Sequence, residues 1–261
     1  VKDLSIIIPT YKNSRYLNDC FKSIENSIKK YKVEILIGID GCLETVNFLK
    51  KNKFNDYFNF YFFHKNVGPY IIKNSLIELT NSENILFFDS DDVMCENMIG
   101  LLIENLKSNF VVKPSYIDFE DGHEINLKSK IIKSEGVFAI KKKLFLDFNG
   151  FEPWLCCADT DLSFRLLENG IKFKFFDKEI LFYRRIHKQG LTSRKDTGGN
   201  SELRRFYNDL IMNKSYRGPL NILNTTNYCT LDKIKYDKIQ ETHDLFLNKE
   251  KNKKLINNIL N

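Results

Sequence analysis

The sequence predicts an α/β fold with a mostly parallel central sheet flanked by helices. Short, nearly all-apolar runs recur at residues 4–9, 33–39, 58–63 and 84–88, and such runs without polar alternation are strands buried on both faces. The segments between them carry helical spacing, and strand alternating with helix is the pattern of a parallel sheet covered on both sides. At 261 residues, 43% of them hydrophobic, the chain suits one large domain or one domain with an appendage.

Residues 4–9 (LSIIIP) form the first strand, stopped by a proline. Residues 15–30 place Leu17, Phe21, Ile24 and Ile28 on one face of an amphipathic helix. A second strand at 33–39 ends in the Asp40-Gly41 turn, and residues 43–52 are helical. A third strand spans 58–63, and Gly68-Pro69 opens a helix running to Leu79. The fourth strand, 84–88, delivers Asp89-Ser90-Asp91-Asp92. Residues 93–106 then read as a helix through Met94, Met98, Leu101, Leu102 and Leu106.

The second half changes texture. Residues 116–124, with Asp121-Gly122 as a turn signal, read as a hairpin. A strand at 137–140, a short helix at 142–148 and a break at Asn149-Gly150 follow. Residues 159–169 form a helix ended by Gly170 at the C′ position. Residues 173–176 and 180–183 are strands, and 186–200 is a polar, glycine-rich loop placed to close over a ligand. The organisation expected is a main domain over 1–195 and a small helical C-terminal appendage over 196–261.

The formal charge of +6 is spread over scattered lysines. It suits phosphate-bearing ligands or peripheral contact with an anionic membrane surface, and is too diffuse for a nucleic-acid protein. No apolar run approaches the ~20 residues of a transmembrane segment. The six cysteines (20, 42, 95, 156, 157 and 229) contain no CxxC pair, which argues against structural zinc. With no signal-like segment, they read as free thiols of a cytoplasmic protein. Adjacent Cys156 and Cys157 read as small, part-buried residues.

Ligands of such sheets bind beyond the carboxyl ends of the strands. Thr10-Tyr11, Asp40-Gly41, residues 64–68 and residues 89–92 all fall on that rim. Crowded carboxylates there repel one another unless a cation holds them, and Mg²⁺ typically keeps one or two carboxylates plus phosphate oxygens. The alternative is that residues 89–92 merely N-cap the following helix.

The motifs at 5–11 (SIIIPTY), 34–41 (EILIGIDG), 66–68 (NVG) with Lys73-Asn74, and 87–92 (FFDSDD) resemble, in order and spacing, those of family 2 glycosyltransferases. So do Gly150-Phe151, residues 158–161 (ADTD) and residues 183–187 (YRRIH). The resemblance covers about residues 4–190. It implies a GT-A fold, a nucleotide-sugar donor with UDP favoured, a divalent cation (Mn²⁺ or Mg²⁺) and inversion at the anomeric carbon. The acceptor implied is a hydroxyl of a glycan, a lipid-linked saccharide, a protein or a small molecule.

The same resemblance assigns roles by position. Pro9, Thr10 and Tyr11 line the nucleotide base, and Asp40 recognises the base or ribose, unless it is only a turn residue before Gly41. Asp89, beside Ser90, meets the ribose, and Asp91 ligates the metal, with His187 approaching the metal or diphosphate. Lys73 reaches the nucleotide as a point charge or is a surface lysine. Of Arg184 and Arg185, one at most faces the leaving diphosphate, since neighbours on a strand point to opposite faces. Trp154 stacks on an acceptor sugar or fills the core. Asp159 is the general base, or only a helix cap, with Asp161 as the fallback base.

Two positions depart from the family pattern: Ala158 stands where many relatives carry an acid, and Ile39 where an Asp is common. Both leave donor and acceptor open. A sugar nucleotidyltransferase would need a glycine-rich, basic turn after the first strand, whereas residues 9–14 (PTYKNS) hold no glycine. A phosphatase of the haloacid dehalogenase type carries its paired aspartates on the first strand rather than the fourth. A catalytically silent nucleotide-sugar-binding module is the rival from a different class.

Overall fold

Strand β1 (Leu4–Thr10) is buried along its whole length at the centre of the sheet. Its alternation decides how the core divides. Ile6 and Ile8 enter one apolar cluster and Ile7 the other, so both faces of the strand must be apolar. The computed structural model describes residues 1–213 and the backbone of 236–239. β1 pairs in parallel with β2 (Val33–Asp40) and, on its other side, with β4 (Asn84–Phe87). β3 (Phe58–Phe63) lies parallel outside β2. Antiparallel β9 (Phe138–Lys141) flanks β4, followed by β6 (Val111–Lys113) and β10 (Phe173–Phe175).

A smaller sheet stands beside the rim. It has the order β5 (Val93–Met94), β11 (Phe182–Ile186), β7 (Ser115–Glu120), β8 (Ile132–Lys133). Helices α1 (Ser14–Ile28) and α4 (Met98–Leu106) bury their apolar stripes in the cluster that holds Ile6 and Ile8. On the opposite face pack α3 (Pro69–Ile77), α6 (Ala158–Glu168) and α7 (Glu202–Met212), whose apolar residues join Ile7, Leu36 and Phe87. Helices α2 (Leu43–Lys50) and α5 (Lys142–Asp147) complete the set among the described residues. Gly38 is what lets α3 approach β2, because a Cβ there would lie 2.2 Å from Ile72 Cγ2. Ile39 is fully buried in the opposite cluster, where an acidic side chain would have no partner.

Four expectations are corrected. Residues 93–106 are not one helix: Val93 and Met94 pair with Tyr183 and Phe182 of β11, and α4 starts only at Met98. The hairpin return after β7 is β8 at 132–133, while Asp121 and Gly122 only turn the chain. The strand expected at 180–183 runs from Phe182 to Ile186 and includes both arginines. Beyond residue 201 the chain is not only helical, since β12 (Tyr236–Ile239) pairs antiparallel with β3. The C-terminal stop of α6 follows the sequence reading: Gly170 takes φ +78°, its N–H donates to Leu167 O, and Ile171 N–H donates to Leu166 O. No helix of the described residues is long and apolar enough to cross a membrane.

Candidate active site

In the order β3-β2-β1-β4 the connections reverse direction at β1, and crevices open at such reversals. A cavity of about 350 Å³ lies there, a size suited to a small-molecule ligand. Its floor is Pro9, Thr10, Asp40 and residues 89–92, and residues 189–192, Arg194 and Thr197 form the opposite wall. The rim residues marked in the sequence are therefore brought together. Thr10 Oγ1 is buried without a hydrogen-bond partner among the described residues. Tyr11 is partly open to solvent, and Asn13 Nδ2 donates to Ser90 Oγ at 3.0 Å.

Asp40 is more than a turn residue. Its Oδ1 accepts from Val67 N–H at 2.6 Å and its Oδ2 from Gly68 N–H at 3.0 Å. The carboxylate thus fastens the β3–α3 loop across the end of β2. Burial pushes its pKa up to about 6, against the downward pull of the two N–H donors. Gly41 adopts φ +63° with its backbone pressed on Lys65 and Asn66, a turn that leaves no room for a Cβ.

Helix α3 supplies three anchors within about one turn. Lys73 is buried rather than on the surface, with Nζ 3.2 Å from Asp89 Oδ1. Asn74 exchanges two hydrogen bonds with the backbone of Phe151, at 2.7 and 3.0 Å, and so seats the segment leading to α6. Tyr70 donates its hydroxyl to Asp159 Oδ1 at 2.8 Å. Burial raises the pKa of Asp89; Lys73 opposes that shift, and the nearby Asp91 reinforces it.

The acidic segment after β4 divides its labour. Asp91 Oδ2 lies 2.8 Å from Nε2 of the buried His187, whose ring packs on Tyr16 at 4.8 Å. Asp92 is buried and accepts from Arg185 N–H at 3.0 Å, tying the end of β4 to β11. Burial raises the pKa of Asp92 well above its ordinary value, with Asp91 and Asp89 adding to the shift. The capping alternative fails for all four residues, because the residue flanking α4 is Asn97.

The arginines are braces. Arg184 makes a bidentate pair with Asp118, at 2.7 and 2.9 Å. Arg185 donates to Asp91 O, Asp121 and Asp19 at 3.0, 3.1 and 2.9 Å, between the rings of Tyr16 and Phe119. Both border the cavity, but each guanidinium is already neutralised by carboxylates.

Trp154 fills the core, the second of its two readings. It is 2% exposed and stacks at 4.4 Å, nearly coplanar, on Tyr207 of α7. The next residue, Leu155, is exposed and lines the cavity. The sequence gives no signal separating these neighbours, because α7 decides which of them is covered. Asp161, the fallback base, is committed to an ion pair. It is buried, and its Oδ2 accepts from Arg165 Nε at 2.8 Å, while Arg165 also donates to Phe148 O and Gly150 O. Asp159 is in the first turn of α6 and is not its cap, a place taken by Cys157 with φ +68°.

Loop 188–200 is built of turns that bond to one another. Thr197 Oγ1 donates to Leu191 O and Gly198 N–H to Arg194 O, each at 2.8 Å, and Arg204 Nε ties Thr197 O to α7 at 2.9 Å. Arg194 borders the cavity and is paired with Asp196. The five described cysteines are free thiols, and Cys229 lies outside the described residues.

Among the described residues no cluster of three or more His, Cys, Asp or Glu could hold a metal by itself. The Asp91–His187 pair nevertheless fits a Mg²⁺- or Mn²⁺-type ion that completes its shell with diphosphate oxygens and water. Two adjacent ligands of an octahedral ion stand ~3 Å apart, close to the separation found here.

The model of the family described as "Glycosyl transferase family 2" matches residues 5–165. The chain belongs to that family, and the protein is a glycosyltransferase with a GT-A fold. S. aureus TarS residues 1–349 in complex with UDP match with a TM-score of 0.58 and 17% identity, over 80% of this chain and 69% of that one. The same TarS fragment in complex with UDP-GlcNAc matches with a TM-score of 0.58 and 16% identity, over 72% and 59%. A further TarS structure matches with a TM-score of 0.55 and 17% identity, over 82% of this chain and 40% of that one. At these identities the similarity is one of fold. No curated protein matches the chain.

Proposed function

We propose that the protein transfers a sugar from a UDP-sugar to an acceptor hydroxyl, with inversion and with the help of a divalent cation. The observation that carries this reading is the meeting of Asp91 and His187, distant in sequence, at the rim of a cavity that also holds Asp40 and Asp89. Asp40 and Asp89 suit the hydroxyl and N–H groups of a nucleoside, and Thr10 Oγ1 offers an unspent hydrogen bond on the cavity floor. Asp91 and His187 would hold the cation, which when bound supplies charge neutralisation for the departing diphosphate. TarS, with the same fold, has been crystallised with UDP and with UDP-GlcNAc, which supports the choice of nucleotide.

Asp159 acts as the general base. It takes the proton of the acceptor hydroxyl while that oxygen bonds to the anomeric carbon from the face opposite the diphosphate. The bond from that carbon to the diphosphate oxygen breaks, and its electron pair leaves with UDP. One displacement suffices, so the configuration inverts. Leu155, exposed beside the cavity, belongs to the acceptor side, and the free thiols suit action in the cytoplasm.

The test is thermal stability with UDP, with and without Mn²⁺. UDP at 100 times its Kd should add ~2.7 kcal/mol, and the Mn²⁺-dependent part should vanish in Asp91→Asn together with transfer. Full turnover of Asp91→Asn in EDTA, or UDP binding indifferent to Mn²⁺ in the unaltered protein, overturns the metal assignment.

A further inference from the structure

We infer that Tyr70 and Gly136 are positioning residues for the Asp159 carboxylate, Tyr70 by holding one oxygen and Gly136 by leaving room for the other. The inference rests on the reading of Asp159 as the base. Tyr70 donates to Oδ1 at 2.8 Å, and its ring cannot swing away, because it is buried against Phe151 at 5.1 Å with Lys73 Nζ 5.6 Å from its centre. On the other side, a Cβ at Gly136 would stand 2.9 Å from Oδ2, so only glycine leaves the carboxylate where it is. Asn74 seats the segment leading to α6, and Lys73 holds Asp89. One helix thereby sets the spacing between the nucleotide-side carboxylate and the acceptor-side carboxylate. Transfer in a single displacement is sensitive to that spacing, since displacements of an ångström cost orders of magnitude in rate.

The Tyr70 hydroxyl donates to one oxygen of the Asp159 carboxylate, and that bond fixes where the carboxylate points.

The experiment compares Tyr70→Phe, Gly136→Ala and Asp159→Asn in steady-state transfer, with kcat and donor KM read separately and UDP and Mn²⁺ binding followed by thermal shift. Tyr70→Phe should bind UDP as the unaltered protein does and lose about tenfold in kcat with donor KM unchanged. Gly136→Ala should lower kcat by a similar factor with donor KM unchanged, by displacing Oδ2. An intact kcat in both variants overturns the inference. Wild-type transfer by Asp159→Asn overturns the base assignment instead, so the two failures are distinguishable. If Tyr70→Phe fails to fold, Gly136→Ala decides: unchanged kcat rejects the inference, and a drop in kcat with unchanged UDP binding supports it.

Discussion

Asp159 and Asp161 stand two residues apart on the first turn of α6, and their substitutions should have opposite consequences. Asp161 has a side-chain exposure of 3% and is paired with Arg165, exposed to 12%. Removing one partner of a buried pair leaves an uncompensated charge, at a typical cost of ~3–5 kcal/mol. Arg165 would keep the carbonyls of Phe148 and Gly150, which places Asp161→Ala near the lower end, about 3 kcal/mol. For a chain of this size each kcal/mol shifts Tm by ~2–4 °C, so a drop of about 6–12 °C is expected. Replacing both residues, Asp161→Ala with Arg165→Met, removes the stranded charge and should recover much of the loss. Transfer assayed well below the lowered Tm should stay within a few-fold of normal. Asp159→Asn should do the reverse, leaving Tm nearly unchanged and reducing transfer by ~10²-fold or more. An Asp161→Ala protein of unchanged Tm that has lost transfer would refute this division of roles.

Trp154→Ala should cost about 3–5 kcal/mol through loss of a buried aromatic and its stack on Tyr207; a variant of normal Tm with raised acceptor KM would return Trp154 to the acceptor. Asp40 gives a pH prediction. Its folded pKa of about 6 exceeds the ordinary 3.8, so its contribution to stability is fully present below 3.8 and is lost as pH rises through 6. Asp40→Asn removes that dependence. Its stability relative to the unaltered protein should therefore improve by about 1.4 kcal/mol between pH 5 and pH 8 in urea unfolding, and an unchanged difference rejects the raised pKa.

The sequence by itself determined the parallel core of the sheet, its rim and the family. These are legible because they depend on local pattern. Runs such as 33–39 and 58–63 are apolar on both faces only when both faces are covered, and the turn residues Asp40-Gly41 and Gly68-Pro69 mark strand and helix ends whatever the neighbours are. The positions of Asp89, Asp91 and Asp40 follow from those strand ends. Tertiary structure alone decided what each polar side chain does, because that depends on partners far away in the chain. Lys73 reads equally as a nucleotide-facing charge or a surface lysine until α3 is laid across the sheet and points it at Asp89. Arg184 and Arg185 read as a pair of which one at most faces the diphosphate, and nothing local shows that Asp118, Asp121 and Asp19 arrive from other elements to pair with them. Trp154 and Leu155, or Asp159 and Asp161, are nearly equivalent in sequence, and packing against α7 and Arg165 gives them opposite fates. The short strand Val93–Met94 was hidden for the same reason: two residues carry no period, and only pairing with β11 overrides the helical spacing around them.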